Sequence, residues 1–231
     1  KKILITGHTG FKGSWLVHWL SRYNVKIMGI GLKPDNNLSL FKFLDKKKLI
    51  DKRFDIANYK KLEKNVLKFQ PDIIYHLAAQ SLVKKSIINP IETLKTNIIG
   101  TANILNCINK LNKKTISVII TSDKCYQNLS LLRGYKEEDR LGGHDPYSAS
   151  KASAEIVFKS YYNSILKKNK KVRIATARAG NVIGGGDWSQ DRLVPDCVKA
   201  WASNRKVYIR NPNSTRPWQH VLEPLSGYIA L

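Results

Sequence analysis

Short apolar runs alternate along most of this chain with longer segments whose apolar residues recur every three to four positions. The runs "KKILITG" (1–7), "VKIMGIGL" (25–32), "PDIIYHLAA" (71–79), "ISVIITS" (116–122) and "VRIATARAGNV" (172–182) read as strands, with a further strand placed before Asp55. Between them, 11–23, 58–69, 90–111 and 145–168 have helical spacing. Apolar strands alternating with helices indicate βαβ units, hence a doubly wound parallel sheet with helices on both faces. This α/β pattern spans residues 1–185. From 186 to 231 the rhythm weakens and Trp, Pro and Arg become frequent, which predicts part of a smaller substrate-binding region. The final "EPLSGYIAL" reads as a helix cut short.

Composition narrows the classes. A hydrophobic share of 42% and a charged share of 25% in 231 residues fit an ordinary globular chain. No apolar run approaches the roughly 20 residues of a membrane helix. The first residues enter a strand at once, so no secretory leader is expected. Three cysteines without metal-like spacing point to a reduced, cytoplasmic setting and to no metal site. The net charge of +23 would suit nucleic acid or anionic metabolites. Its lysines, however, are scattered in short groups between apolar segments, with no nucleic-acid-binding motif beside them, and the expectation is no nucleic-acid partner.

The first strand leads into "TGHTGFKGSWL", with Gly7, Gly10 and Gly13 at the turn before a helix. Glycines permit tight dihedrals and close backbone approach to a pyrophosphate, and the helix amino terminus adds free N–H groups and a favourable dipole. Residues Gly7, His8, Thr9, Gly10, Phe11, Lys12 and Gly13 are therefore candidate cofactor contacts. About 20 residues beyond such a loop an acid selects NAD and a base suits NADP. Lys33 stands near that place and Asp35 two residues on, so the residues leave the choice between NAD and NADP open. Asp55, with Ile56 beside it, is a candidate for the adenine end or else a helix cap.

Tyr147 and Lys151 form a Y-x-x-x-K pair on one helical face. A nearby ammonium lowers a tyrosine pKa, and the phenolate can take a hydroxyl proton as hydride leaves for a nicotinamide. Ser122 would bond the same substrate oxygen. Asp123 and Lys124 follow directly at the end of an apolar strand, where ligands bind in a parallel sheet; otherwise they are an ion pair capping the strand end.

The glycine loop, "HLAAQ" (76–80), the Tyr147/Lys151 pair and "ARAGNVIGGGDW" (177–188) resemble the extended short-chain dehydrogenase/reductase superfamily. "TSDKCY", "GGHDPYSASK", "DRLVPD" and "RPWQHVLEPLSGY" are more narrowly similar to the CDP-glucose 4,6-dehydratases. That resemblance implies a Rossmann-type fold and catalytic NAD. It also implies a lyase converting CDP-glucose to CDP-4-keto-6-deoxyglucose and water, in deoxysugar or O-antigen-type polysaccharide biosynthesis. It makes Asp123 the acid for the departing C6 hydroxyl. Lys124 stands where related dTDP-glucose dehydratases carry Glu, as a base at C5 or an enolate stabiliser. Leu77, Ala78 and Ala79 would give backbone contacts to the cofactor. Asn181, Trp188, Arg192, Arg210, Arg216 and His220 are substrate candidates, with Trp218 beside them, and His76 reads as structural. His8 replaces a small residue common in the loop and is expected to crowd the cofactor. A homodimer or higher homo-oligomer, built on helices such as 90–111 and 146–168, is the expected assembly. A nucleotide-sugar 4-epimerase is the alternative enzyme, and an NAD(P)-binding regulatory module the non-enzymatic one.

Overall fold

The computed structural model describes residues 1–34 and 37–231. Its strands and helices, in chain order, are β1 (Lys2–Thr6), α1 (Phe11–Ser21), β2 (Lys26–Gly31), β3 (Leu49–Arg53), α2 (Tyr59–Phe69) and β4 (Ile73–His76). Then come α3 (Val83–Ile88), α4 (Pro90–Leu94), α5 (Gly100–Asn109), β5 (Thr115–Ile120), α6 (Pro146–Ser164) and β6 (Val172–Ala177). The last four are β7 (Asn181–Ile183), α7 (Leu193–Ala202), β8 (Trp218–His220) and α8 (Leu222–Ala230).

Six strands form one sheet in the order β3-β2-β1-β4-β5-β6, all neighbours parallel. The order reverses between β1 and β4, the switch point where doubly wound folds open a crevice at the strands' carboxyl ends. Side chains alternate across the sheet, so each strand feeds two cores. Leu4, Met28, Ile30, Ile74 and Ile119 pack on one face with Leu62, Val66, Ile104 and Ile108 of α2 and α5. Ile3, Ile5, Ile27, Tyr75 and Val118 pack on the other with Leu16 and Val17 of α1 and with Val221, Leu225 and Tyr228. Thus α8, expected only as a trailing helix, closes the second core. Among the described residues, no helix is long and apolar enough to cross a membrane.

Two expected elements are broken. The helix read over 90–111 passes through a wide π turn at Lys95–Ile99. This turn carries Asn97, which is buried, donates to Gln80 O at 2.9 Å and Ser150 Oγ at 2.8 Å, and accepts from Gln80 N at 2.8 Å. A π turn frequently marks a functional position, and here it serves a buried amide that knits the β4 loop to α6. The strand read over 172–182 is two strands in two sheets: β6 ends at Ala177, and β7 pairs in parallel with β8. Gly180 lies at the break, where a Cβ would stand 2.9 Å from Pro217 Cγ, so the small residue lets the two segments approach.

Candidate active site

The glycine loop is built by close contacts that tolerate no side chain. Gly7 has φ +73, and a Cβ there would lie 2.7 Å from Ala78 N. One at Gly13 would lie 2.1 Å from Gly7 O. Gly10 N donates to Gly7 O at 3.1 Å and Ser14 N to Gly10 O at 2.8 Å, which starts α1 directly out of the turn. With no acid in the first turn of α1, its positive end faces the crevice uncompensated. These features fit the pyrophosphate of a dinucleotide.

The loop after β4 forms the opposite wall. Thr6 Oγ1 accepts from Ala78 N at 3.2 Å and bonds His76 Nδ1 at 2.7 Å. His76 is buried, its pKa pushed down to about 3 by burial, so it is a neutral structural residue as expected. Leu77, Ala78 and Ala79 are half-buried at this edge.

His8 departs from expectation. Its side chain is wholly buried, so it cannot crowd a ligand in the cleft. The ring fits over Gly29 and Gly31 of β2, where a Cβ would meet it at 2.3 Å and 3.1 Å respectively. It bonds Asp51 Oδ1 at 2.9 Å and packs edge-on against Phe41. Ile56 is likewise a core residue, its Cδ1 2.4 Å from where a Cβ on Gly100 would stand, so any cofactor contact it makes is through the backbone. Thr9 Oγ1 donates to Leu32 O at 3.0 Å, bracing the loop against the end of β2. Asp55 accepts from Ala57 N at 2.8 Å in a local turn, while Asn58, not Asp55, caps α2. Lys33 is exposed, and Asp35 lies outside the described residues. The sequence reading missed Arg53 at this end of the crevice. It donates to Leu32 O at 2.6 Å and is paired with Asp51 at 2.7 Å.

At the other end, α6 presents Tyr147 and Lys151. Asp145 accepts from Ser148 N at 3.0 Å and Ser148 Oγ at 2.7 Å, and Pro146 occupies the first turn, so the helix start is fixed by local chemistry. Tyr147 and Lys151 are 7% and 6% exposed, facing Ser122, also buried at 6%. Ser122 hydrogen-bonds the Tyr147 phenol, which eases its ionisation, but burial dominates and holds the phenol above its ordinary value. Arg192 is a cation that acts to lower it, against the larger effect of burial. Lys151 itself is brought down to about 8, burial outweighing the raising effect of Glu155. Its Nζ donates to Ile120 O at 3.5 Å.

Ser122 caps a short turn, Asp123–Cys125, at the end of β5. Ser122 Oγ donates to Asp123 Oδ1 at 2.9 Å, and Lys124 Nζ lies 3.3 Å from both Asp123 Oδ1 and Asn181 Oδ1. Asp123 and Lys124 are about one-third exposed, open to a ligand as well as to each other. Cys125 behind them is buried, which pushes its thiol up to about 12 and leaves it unreactive.

Ser122, Lys124 and Tyr147 line one cavity of about 810 Å³, together with Lys12 of α1. Of the substrate candidates, Asn181, Trp188, Arg192, Arg210, Arg216 and Trp218 line it. Arg192 lies deepest, donating to Asp187 Oδ2 at 2.8 Å and Ser81 Oγ at 3.2 Å, while Arg210 binds Asp191 at the rim. Arg216 is exposed, its guanidinium donating to Thr215 O at 2.8 Å. His220 does not belong to the cavity: it packs edge-on at 6.1 Å against Trp15 and accepts from Leu222 N. Among the described residues, no group of three or more His, Cys, Asp or Glu could hold a metal ion.

Known proteins place this arrangement. The chain is 45% identical to the CDP-glucose 4,6-dehydratase of Salmonella typhimurium over its whole length, covering 66% of that protein. It is 30% identical to the dTDP-D-glucose 4,6-dehydratase of Dictyostelium discoideum, covering 54% of it. The chain therefore spans two thirds or less of these relatives. The structure of dTDP-glucose 4,6-dehydratase from Bacillus anthracis in complex with NAD superposes with a TM-score of 0.83 at 27% identity, over 99% of this chain and 70% of that one. UDP-glucose 4-epimerase from Thermotoga maritima shares the fold at a TM-score of 0.87 and 20% identity, over 100% of this chain and 73% of that one. The family model described as GDP-mannose 4,6 dehydratase matches residues 4–230, strand β1 through helix α8, and the chain belongs to that family.

Proposed function

We propose that this chain carries the catalytic machinery of an NAD-dependent nucleotide-sugar 4,6-dehydratase acting on CDP-glucose, a hydro-lyase of deoxysugar and polysaccharide biosynthesis. The observation that carries the reading is the Asp123–Lys124 pair on the strand end beside Ser122 and Tyr147. An epimerase gives that pair no clear task. Residues 1–185 would hold the cofactor, and 186–231 would contribute to the sugar-nucleotide side.

The glycine loop and the 77–79 segment would hold NAD, which would supply a hydride acceptor for the sugar C4 and a donor back to C6. Tyr147, oriented by Ser122, takes the C4 hydroxyl proton, and Lys151 stabilises the phenolate. Oxidation at C4 acidifies the C5 proton. Lys124 takes that proton or steadies the resulting enolate, and Asp123 protonates the departing C6 hydroxyl. Arg192, Arg210 and Arg216 supply positive charge for a sugar-nucleotide diphosphate. Lys33, exposed past the end of β2, leaves some tolerance for NADP. The exposed Ile91, Ile99 and Ile156 on the segments from α4 to α6 suit a homodimer built by pairing these helices, in a cytoplasmic protein.

The test is incubation of the protein with NAD and a panel of CDP-, dTDP-, UDP- and GDP-glucose, followed by mass spectrometry. Loss of one water from CDP-glucose is expected. No loss from any member, with cofactor binding intact, overturns the reading.

A further inference from the structure

Lys12 is the second residue of α1, but its ammonium crosses to the catalytic end of the crevice. Nζ donates to the Tyr228 phenol oxygen at 3.1 Å and stands 5.5 Å from that ring's centroid. The charged groups acting on it are Lys151 of α6, Arg192 at the start of α7, and Asp123 and Lys124 of the turn after β5. The nearby carboxylates are already engaged: Asp123 with Lys124, Asp187 with Arg192, Glu155 with Arg178. Lys12 thus stands with three other cations, Lys151, Arg192 and Lys124, and has little countercharge of its own. Burial and these cations bring its pKa down to about 7.

This position bears on the redox partner. Hydride transfer requires donor and acceptor carbons about 3–3.5 Å apart, so the nicotinamide ring must lie beside the sugar carbon whose hydroxyl faces Tyr147. Lys12 lines the same cavity as Ser122 and Tyr147. The oxidised ring is a cation and the reduced ring is neutral. A protonated Lys12 therefore repels the first and leaves the second untouched.

We propose that Lys12 is a tuning residue that biases bound NAD towards its reduced form. In the first step the C4–H bond breaks, its electron pair and proton pass to the ring, and the hydroxyl proton passes to Tyr147. Lys12 forms and breaks no bond; it shifts this equilibrium towards the 4-keto sugar, which must persist while water leaves. The purpose of this bias rests on the dehydratase reading, whereas the charge effect concerns the cofactor alone.

The test measures dissociation constants for oxidised and reduced NAD, without sugar nucleotide, in the wild type and in Lys12→Met, Lys12→Gln and Lys12→Arg. The two neutral variants should bind oxidised NAD about tenfold more tightly relative to reduced NAD, the scale of unit charges a few ångströms apart with partial screening. At pH 6, where Lys12 is mostly protonated, Lys12→Arg should keep the wild-type ratio. An unchanged ratio in the folded neutral variants overturns the proposal. So does equal weakening of both forms, which would mark Lys12 as a pyrophosphate contact. Failure of the dehydratase reading appears separately, as absence of water loss from CDP-glucose in the wild type.

Discussion

Glu155 follows Lys151 by one turn of α6 and is clamped by Arg178 through two hydrogen bonds of 3.0 Å each. Thr121 and Thr176 donate to the same carboxylate. The countercharge of the buried lysine is thereby fixed from the β6–β7 connection. Arg178→Met should lower stability by about 3–5 kcal/mol, since it leaves a buried carboxylate without its partner. Urea denaturation would check this, and Glu155→Gln/Arg178→Met together should cost less than the sum of the single changes.

Lys151 carries a stability cost that depends on pH. Its folded-state pKa of about 8 lies below the ordinary 10.5, so the unfolded chain binds more protons between those values. The penalty is full below pH 8 and is relieved as pH rises towards 10.5. Lys151→Met should therefore be more stable than the wild type at pH 7, by up to about 3 kcal/mol, with the difference shrinking by pH 10. Urea midpoints at both pH values test this; an equal difference at both would remove the buried charge from the account.

Tyr147→Phe should abolish the first oxidation, seen as no reduced-cofactor absorbance on mixing with CDP-glucose. Asp123→Asn should keep that oxidation and slow water loss, by roughly the hundred- to ten-thousandfold of a lost general acid. Equal loss of both steps in Asp123→Asn would count against its role at C6.

Gly13→Ala forces a methyl within 2.1 Å of Gly7 O. The loop must shift, at about 1–3 kcal/mol, and NAD affinity should fall at least tenfold by titration. Gly227→Ala on α8, which meets open space, is the control and should bind normally.

The doubly wound sheet was legible because apolar runs alternate with helical spacing, and each run supplied a strand of the main sheet, the last also supplying β7 of the second sheet. Tyr147, Lys151 and Ser122 were legible because a helix face and a strand end bring them together without reference to distant residues. His8 was misread as crowding the cofactor because its burial depends on small residues far along the chain, Gly29 and Gly31, just as the burial of the Ile56 side chain depends on Gly100. His220 was misplaced because the direction of a short strand's side chains follows from its partner, here β7, and not from its own spacing. Lys12 was named only as a member of the loop, since nothing in "GFKGS" says that its ammonium will reach Tyr228 more than two hundred residues later.

The π turn at Lys95–Ile99 also works as a phase shifter. Each residue advances a helix by about 100°, so one extra residue in the turn rotates everything after it by that angle about the axis. The stripe of α5 that meets the sheet is consequently out of step with α4, and a single periodicity drawn through 90–111 fits neither. Deleting one residue from 95–99 would restore a regular helix and swing Asn97 out of its bonds to Gln80 and Ser150. The wall behind Tyr147 would then lose its tie to the β4 loop. The length of this segment, and not only its composition, is part of what the site requires.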